Sequence, residues 1–194
     1  GIHSIDHFAL EVPSLAQAKD FFGCFGLEVS HTGANRLELR TFGNPHVWGR
    51  IHEGAKKRLA YLGLHCYANE YEPLVAQIRA HGGRPAPAYP EADAEGFWFL
   101  DPDGNLLRLK VGAKTTPSAS TPPADEAPRA GRRGVTGHEA VEAVRPRRLS
   151  HVLLVSSDIE ASVGFYRHAL GLRLSDRSRD IVAFLHARHG SDHH

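Results

Sequence analysis

Two stretches decide how this chain folds: "IDHFALEVPSLAQAKDFFGCFGLEVS" at residues 5–30 and "LSHVLLVSSDIEASVGFYRHALGLRLS" at residues 149–175. Aligned, His7 falls on His151, Leu15 on Ile159, Phe21 on Phe165 and Phe22 on Tyr166; one inserted residue later, Gly26 falls on Gly171. An internal repeat dictates architecture, so it is settled before single elements are assigned. Each copy opens with an apolar, β-prone run of strand length that starts on a histidine, "HFALEV" or "HVLLVS". A helix follows. Ser14 caps the first, with Ala18, Phe21 and Phe22 expected on its buried face up to Gly26. Ser157 or Asp158 caps the second, in which Ile159, Val163, Tyr166 and Leu170 recur at helical spacing. Gly171 supplies a left-handed stop, and "LRLS" resumes as strand.

Beyond the first copy, "RLELRTF", "RLAYLGLHCYA" and "FWFLDPDGNLLRLKV" are strand candidates, the last a hairpin turning on "DPDGN". Between them "NEYEPLVAQIRAHGG" has helical periodicity, with Leu74, Ile78 and Ala80 expected toward the core. Residues 1–112 are thus expected to form a complete first domain. Residues 113–147 hold five of the twelve prolines and almost no large apolar side chains. Such a segment cannot bury enough surface to offset its ordering entropy, so an exposed or mobile linker is expected there. Its arginines have no interleaved aromatics for base stacking and are expected to be solvated. Residues 148–194 begin a second domain and reach only strand, helix and strand, so the chain is expected to stop within that domain.

Bulk composition narrows the field. The 194 residues are 41% hydrophobic and 23% charged with a net charge of +1, which argues for a globular protein and against nucleic acid or an acidic membrane surface. No apolar run approaches the roughly 20 residues of a membrane span, and no secretory signal is visible at the start. Cys24 and Cys66 match no metal-finger spacing, and a reducing cytoplasm is expected. The chain starts on Gly and contains no Met, so it is expected to differ from its translated form.

The repeat, the "DPDGN" turn, and "RRLSHVLL" followed 43 residues after His151 by His194 together resemble the vicinal oxygen chelate superfamily. Within it, the likeness is to type I extradiol ring-cleaving dioxygenases of the catechol 2,3-dioxygenase kind. The resemblance spans the chain apart from the linker. It implies an α+β fold of paired βαβββ modules whose mixed sheets curl into an open barrel, with a metal-free N-terminal domain and a metal-holding C-terminal one. It implies Fe(II), with Mn(II) as the other option, and a catechol-type substrate with O2 as co-substrate. A homo-oligomer is also implied, with no nucleic acid and no membrane partner. His151 resembles the first metal-ligating histidine, and His194 the acid–base histidine beside the metal. His193 is the rival for that second role, and a vector-derived tag is the competing reading of "GSDHH". The remaining ligands would fall near positions 205 and 252.

A facial set of two histidines and one carboxylate leaves three positions on octahedral Fe(II) for a chelating catechol and dioxygen. The first domain departs from that set. His7 stands at the first ligand position, but Tyr61 and Arg108 stand at the second and third. A guanidinium cannot ligate a cation and repels one, so His7 and His65 are expected to be structural. His186 and His189 are expected in exposed turns. Two other functions remain open: a ligand-sequestering protein of the bleomycin resistance kind, and a glyoxalase-like isomerase or lyase.

Overall fold

The computed structural model describes residues 1–119 and 145–188. The first part is built as β1 (Ser4–Val12), α1 (Leu15–Cys24), β2 (Glu28–His31), β3 (Arg36–Arg40) and β4 (Val47–Glu53), followed by β5 (Arg58–Cys66), α2 (Ala68–Ala80), β6 (Arg84–Pro85), β7 (Phe97–Leu100) and β8 (Leu106–Val111). These are two βαβββ modules in succession. Their strands form one mixed sheet of eight, ordered β2-β3-β4-β1-β5-β8-β7-β6. In each module the first strand pairs in parallel with the last, β1 with β4 and β5 with β8. The modules join where β1 runs antiparallel to β5, Ile5 opposite Leu64. The sheet stays open, with β2 and β6 at its edges.

Alternation along the strands decides which residues meet the helices. Leu37, Leu39 and Ile51 pack with Leu15 and Ala18 of α1, while Leu62, Leu64, Leu107 and Leu109 pack with Leu74 and Ile78 of α2. Ser14 caps α1 by accepting from the Gln17 amide at 3.3 Å. Two expected core positions lie outside. Phe21 is 63% exposed and stacks on Phe25, because the buried stripe runs through Leu15, Ala18 and Phe22 at spacings of three and four. Ala80 ends its helix in solvent, two residues past Ile78 and so on the face opposite the Leu74–Ile78 stripe. β4 was not legible as a strand because Gly49 interrupts it. That glycine is required, since a Cβ there would lie 2.7 Å from the Phe8 ring and 2.8 Å from Leu39.

The second part contributes α3 (Ile159–Leu170), β9 (Arg173–Ser178) and β10 (Val182–His186). Asp158 is the cap, accepting from the Ala161 amide at 3.0 Å, and Gly171 closes α3 at φ 71°. α3 packs on α2, and its Phe165, Ala169 and Leu170 enter the same core as Leu62 and Leu107. "HVLLVS" does not form the expected strand: residues 151–156 pair with no strand, and Leu153 and Val155 are 79% and 87% exposed. The counterpart of β1 needs counterparts of β4 and β5 beside it. At the repeat offset of 144 these would begin at positions 191 and 202, outside the described residues. His186 also differs from expectation, lying in β10 with Nδ1 2.6 Å from the Ser175 hydroxyl.

Of the expected linker, residues 120–144 lie outside the described residues. The described ends are tied to the sheet. Asn44 donates to the Thr116 carbonyl at 2.9 Å, the Thr41 and Ser118 hydroxyls bond at 2.7 Å, and the Ser118 amide donates to the returning Arg147 carbonyl at 2.8 Å.

The "DPDGN" turn fastens α3 to the first domain. Asp103 accepts from the Ser157 amide at 2.8 Å, the Ser157 hydroxyl at 2.7 Å and the Ser162 hydroxyl at 2.9 Å. Asp101 accepts from the Tyr166 hydroxyl at 2.8 Å. Hydrogen bonds from Ser156, then from the backbone and hydroxyl of Ser157, hold the Asp103 carboxyl below the usual carboxylate range. A depressed carboxylate stabilises above its unfolded pKa, and the effect is lost as pH falls through the folded value. Asp103→Ala removes the acceptor of three hydrogen bonds and is therefore expected to loosen α3. Hydrogen exchange of the α3 amides checks this: protection should drop in α3 and not in β1, and uniform loss would show a global effect instead.

Candidate functional site

The three first-domain positions that match a metal triad lie on adjacent strands: His7 on β1, Tyr61 on β5 and Arg108 on β8. The structure brings His7 and Tyr61 into contact. The Tyr61 hydroxyl lies 2.8 Å from His7 Nε2, both residues being buried. On the other side of the ring, His7 Nδ1 lies 2.8 Å from Asp6 Oδ2. An ionised carboxylate can only accept, so Nδ1 carries the proton and Nε2 accepts from Tyr61. Arg50 adds its guanidinium, with Nη1 3.2 Å from both His7 Nε2 and the Tyr61 oxygen. The space that a cation would occupy beside Nε2 is thus taken by a hydroxyl and a guanidinium.

Electrostatics keep this arrangement neutral at the ring. Burial lowers the His7 pKa, opposed by Asp6 and assisted by the charges of Arg50 and Arg108. Burial pushes Asp6 up, but the hydrogen bond and charge of His7, with His65 and His46, outweigh it and bring Asp6 to about 2. Gly63 makes room for the ring, since a Cβ there would lie 3.1 Å from His7 Nδ1. Arg108 is buried, donates to Asp93 and stacks 5.4 Å from the Trp98 ring centre. His65 is held by the Ala113 carbonyl at 3.3 Å and lies 3.4 Å from Asp6. Sequence reasoning missed Asp6, Arg50 and Asp93. Asp6 was findable as the residue before the histidine, whereas Arg50 lies on the unassigned β4.

In the second copy, His151 is exposed and its Nδ1 lies 3.2 Å from the Ser150 hydroxyl. Ser150 occupies the place that Asp6 has beside His7. Engaging Nδ1 leaves Nε2 free, which is how a ligating histidine is commonly oriented. His189, His193 and His194 lie outside the described residues. Among the described residues no group of three or more His, Cys, Asp or Glu side chains is placed to hold a metal. His151 is therefore one candidate ligand without described companions. Cys24 is exposed and Cys66 buried, both unpaired, and burial pushes the Cys66 thiol up to about 11.

Two successive βαβββ modules, each with its first and last strands paired in parallel, are the class of fold shared with solved glyoxalase and catechol dioxygenase structures. In sequence and fold the chain resembles the extradiol dioxygenases of the vicinal oxygen chelate superfamily. It is 47% identical over 193 residues to Metapyrocatechase 2 of Cupriavidus necator, covering 100% of this chain and 60% of that protein. The chain thus spans about three fifths of the curated relative it matches. A family described as Bleomycin resistance protein-like N-terminal matches residues 148–184. Among solved structures, the Mn(II)-bound glyoxalase from Novosphingobium aromaticivorans is 23% identical, with a TM-score of 0.68 over 95% of this chain and 58% of that one. The halotolerant catechol dioxygenase BphC is 24% identical, with a TM-score of 0.68 over 95% of this chain and 61% of that one. At these identities the structural likeness is one of fold.

A histidine with a depressed pKa stabilises the fold fully above its unfolded pKa of about 6.5, and the effect is lost as pH falls through the lower folded value. The melting temperature is therefore expected to fall below pH 6.5, and His7→Gln, which cannot titrate, to flatten that fall. Melting curves of the two proteins between pH 4 and 8 check it. Parallel profiles would mean that His7 is not the buried neutral group described.

Proposed function

We propose that the protein is an extradiol dioxygenase that inserts both atoms of O2 into a catechol-type diol, cutting the ring beside its two hydroxyls. The observation that carries this is the 47% identity to Metapyrocatechase 2 along the whole of this chain. Residues 1–112 serve as the metal-free domain, 113–147 as the linker and 148–194 as the opening of the metal-holding domain. In that domain His151 would supply its Nε2 to the metal, with Nδ1 engaged by Ser150. When bound, Fe(II), or Mn(II) in its place, supplies a Lewis acid that lowers the phenolic pKa and gathers substrate and O2. His194 would take a proton from a catechol oxygen and return it during ring fission, work that suits an imidazole near neutral pH.

The identity to a metapyrocatechase favours this reaction over a glyoxalase-like one or simple sequestration. The Tyr61, Arg50 and Arg108 set adds to this, because a glyoxalase-like protein of this module count would draw ligands from the first domain. No helix among the described residues is long and apolar enough to cross a membrane. Two unpaired cysteines support a reducing cytoplasm, and the exposed Phe21–Phe25 stack supports assembly into a homo-oligomer.

Oxygen uptake by the iron-loaded, full-length protein across a panel of catechols is the direct test. Turnover to a yellow semialdehyde is expected, and no uptake with any catechol would overturn the proposal. His151→Ala is expected to abolish iron retention while His7→Ala leaves iron content unchanged, read by elemental analysis. His194→Asn is expected to lower kcat by about 10²–10⁴-fold with iron content preserved, the usual contribution of a general acid–base. Loss of iron with the rate would make His194 a ligand.

A further inference from the structure

Beneath the irregular segment 86–96, the sheet presents more buried donors than it has acceptors for. Arg108 on β8 and Trp98 on β7 face one another across the ladder. Among the described residues, Arg108 Nε and Nη1 and the Trp98 indole nitrogen are buried without a hydrogen-bond partner, as is Nε of nearby Arg50. All four are donor-only groups, so what they lack is an acceptor. The covering segment offers carboxylates: Asp93 lies 2.9 Å from Arg108 Nη2, and Glu91 2.6 Å from His52 Nδ1.

The burial of these pairs is lopsided. The side chains of Arg108 and His52 are 3% and 0% exposed, whereas those of Asp93 and Glu91 are 45% and 50% exposed. The carboxylates are already half in water and can leave at modest cost. Their partners Arg108 and His52 cannot, because they are sealed into the sheet. Lifting the segment would strand a buried guanidinium, a costly state unless another anion takes the place of Asp93. Once Asp93 leaves Nη2, either edge of the Arg108 guanidinium, Nε with Nη2 or Nη1 with Nη2, offers two N–H groups to an oxygen pair.

We infer that this face of the first domain is a binding site for a small carboxylate, which replaces Asp93 on Arg108 when segment 86–96 lifts. It is separate from the proposed metal site and does not depend on the ring-cleavage reaction. Asp93 is then an internal competitor, and the segment is its lid.

The experiment uses the full-length protein in a Trp48→Phe background, where Trp98 reports on Arg108 by fluorescence, with acetate as probe and sodium chloride at equal ionic strength as control. A saturable response to acetate and not to chloride is expected. Asp93→Asn removes the competitor from a half-exposed position and is expected to tighten acetate binding about tenfold. Arg108→Gln is expected to abolish the response; because it alters a buried residue, the Asp93→Asn result decides the matter if that variant fails to fold. Equal responses to acetate and chloride, or acetate binding no tighter in Asp93→Asn, would overturn the inference.

Discussion

β1 is held on both sides, parallel to β4 and antiparallel to β5, and the first domain is organised around that double pairing. A strand in the middle of a sheet has its register set twice, so each side chain is committed to one face. His7 is thereby sent toward Tyr61 and Arg50, while Phe8 is sent between the two hydrophobic clusters, against which it packs from either side. Two glycines make this possible, Gly49 beside Phe8 and Gly63 beside His7, each where a methyl group would meet a ring. A one-residue slip would exchange the histidine and the phenylalanine, burying a polar ring in the core and emptying the hydrogen-bond chain at once.

The second copy shows what the same sequence pattern does without that pairing. "HVLLVS" carries the histidine and the apolar residues of a core strand, yet it pairs with no described strand and leaves Leu153 and Val155 in solvent. Its helix folds regardless. α3 finds a surface on α2 and a clamp in Asp101 and Asp103, neither of which depends on the strand before it. A helix satisfies its own backbone, whereas a strand requires another strand. Local sequence therefore specifies α3 and can only permit the strand.

This difference also explains what was legible. The repeat, the caps at Ser14 and Asp158, the turn at "DPDGN" and the left-handed Gly171 are local features, and each stands where the residues place it. The pairing of β4 with β1 is nonlocal, and nothing in "VWGRIHE" announces it, so Arg50 escaped notice along with its strand. His7, Tyr61 and Arg108 could be matched by motif because the family likeness supplies positions. Of the partners that determine their chemistry, Asp6 is the neighbour of His7 in sequence, but Arg50 and Asp93 come from other points in the fold and could not be matched. The role of "DPDGN" as a clamp on α3 was equally hidden, since the motif shows a turn but not what its carboxylates reach.

Charge links the residues around His7. Arg108 repels a cation where a carboxylate would attract one, and Arg50 adds a second positive charge 3.2 Å from the histidine nitrogen. Burial, with these two charges assisting, makes the neutral imidazole the stable form, which is the direction in which the His7 pKa moves. Asp6 accepts from Nδ1–H, and Tyr61 has a lone pair on Nε2 to donate to only while His7 stays uncharged. Returning one ligand, by Arg108→Glu alone, would not restore a metal site, because the Arg50 guanidinium would still occupy the approach to Nε2. His7, Tyr61 and Arg50 thus fit one another, and the histidine stands as the neutral middle of a hydrogen-bonded chain.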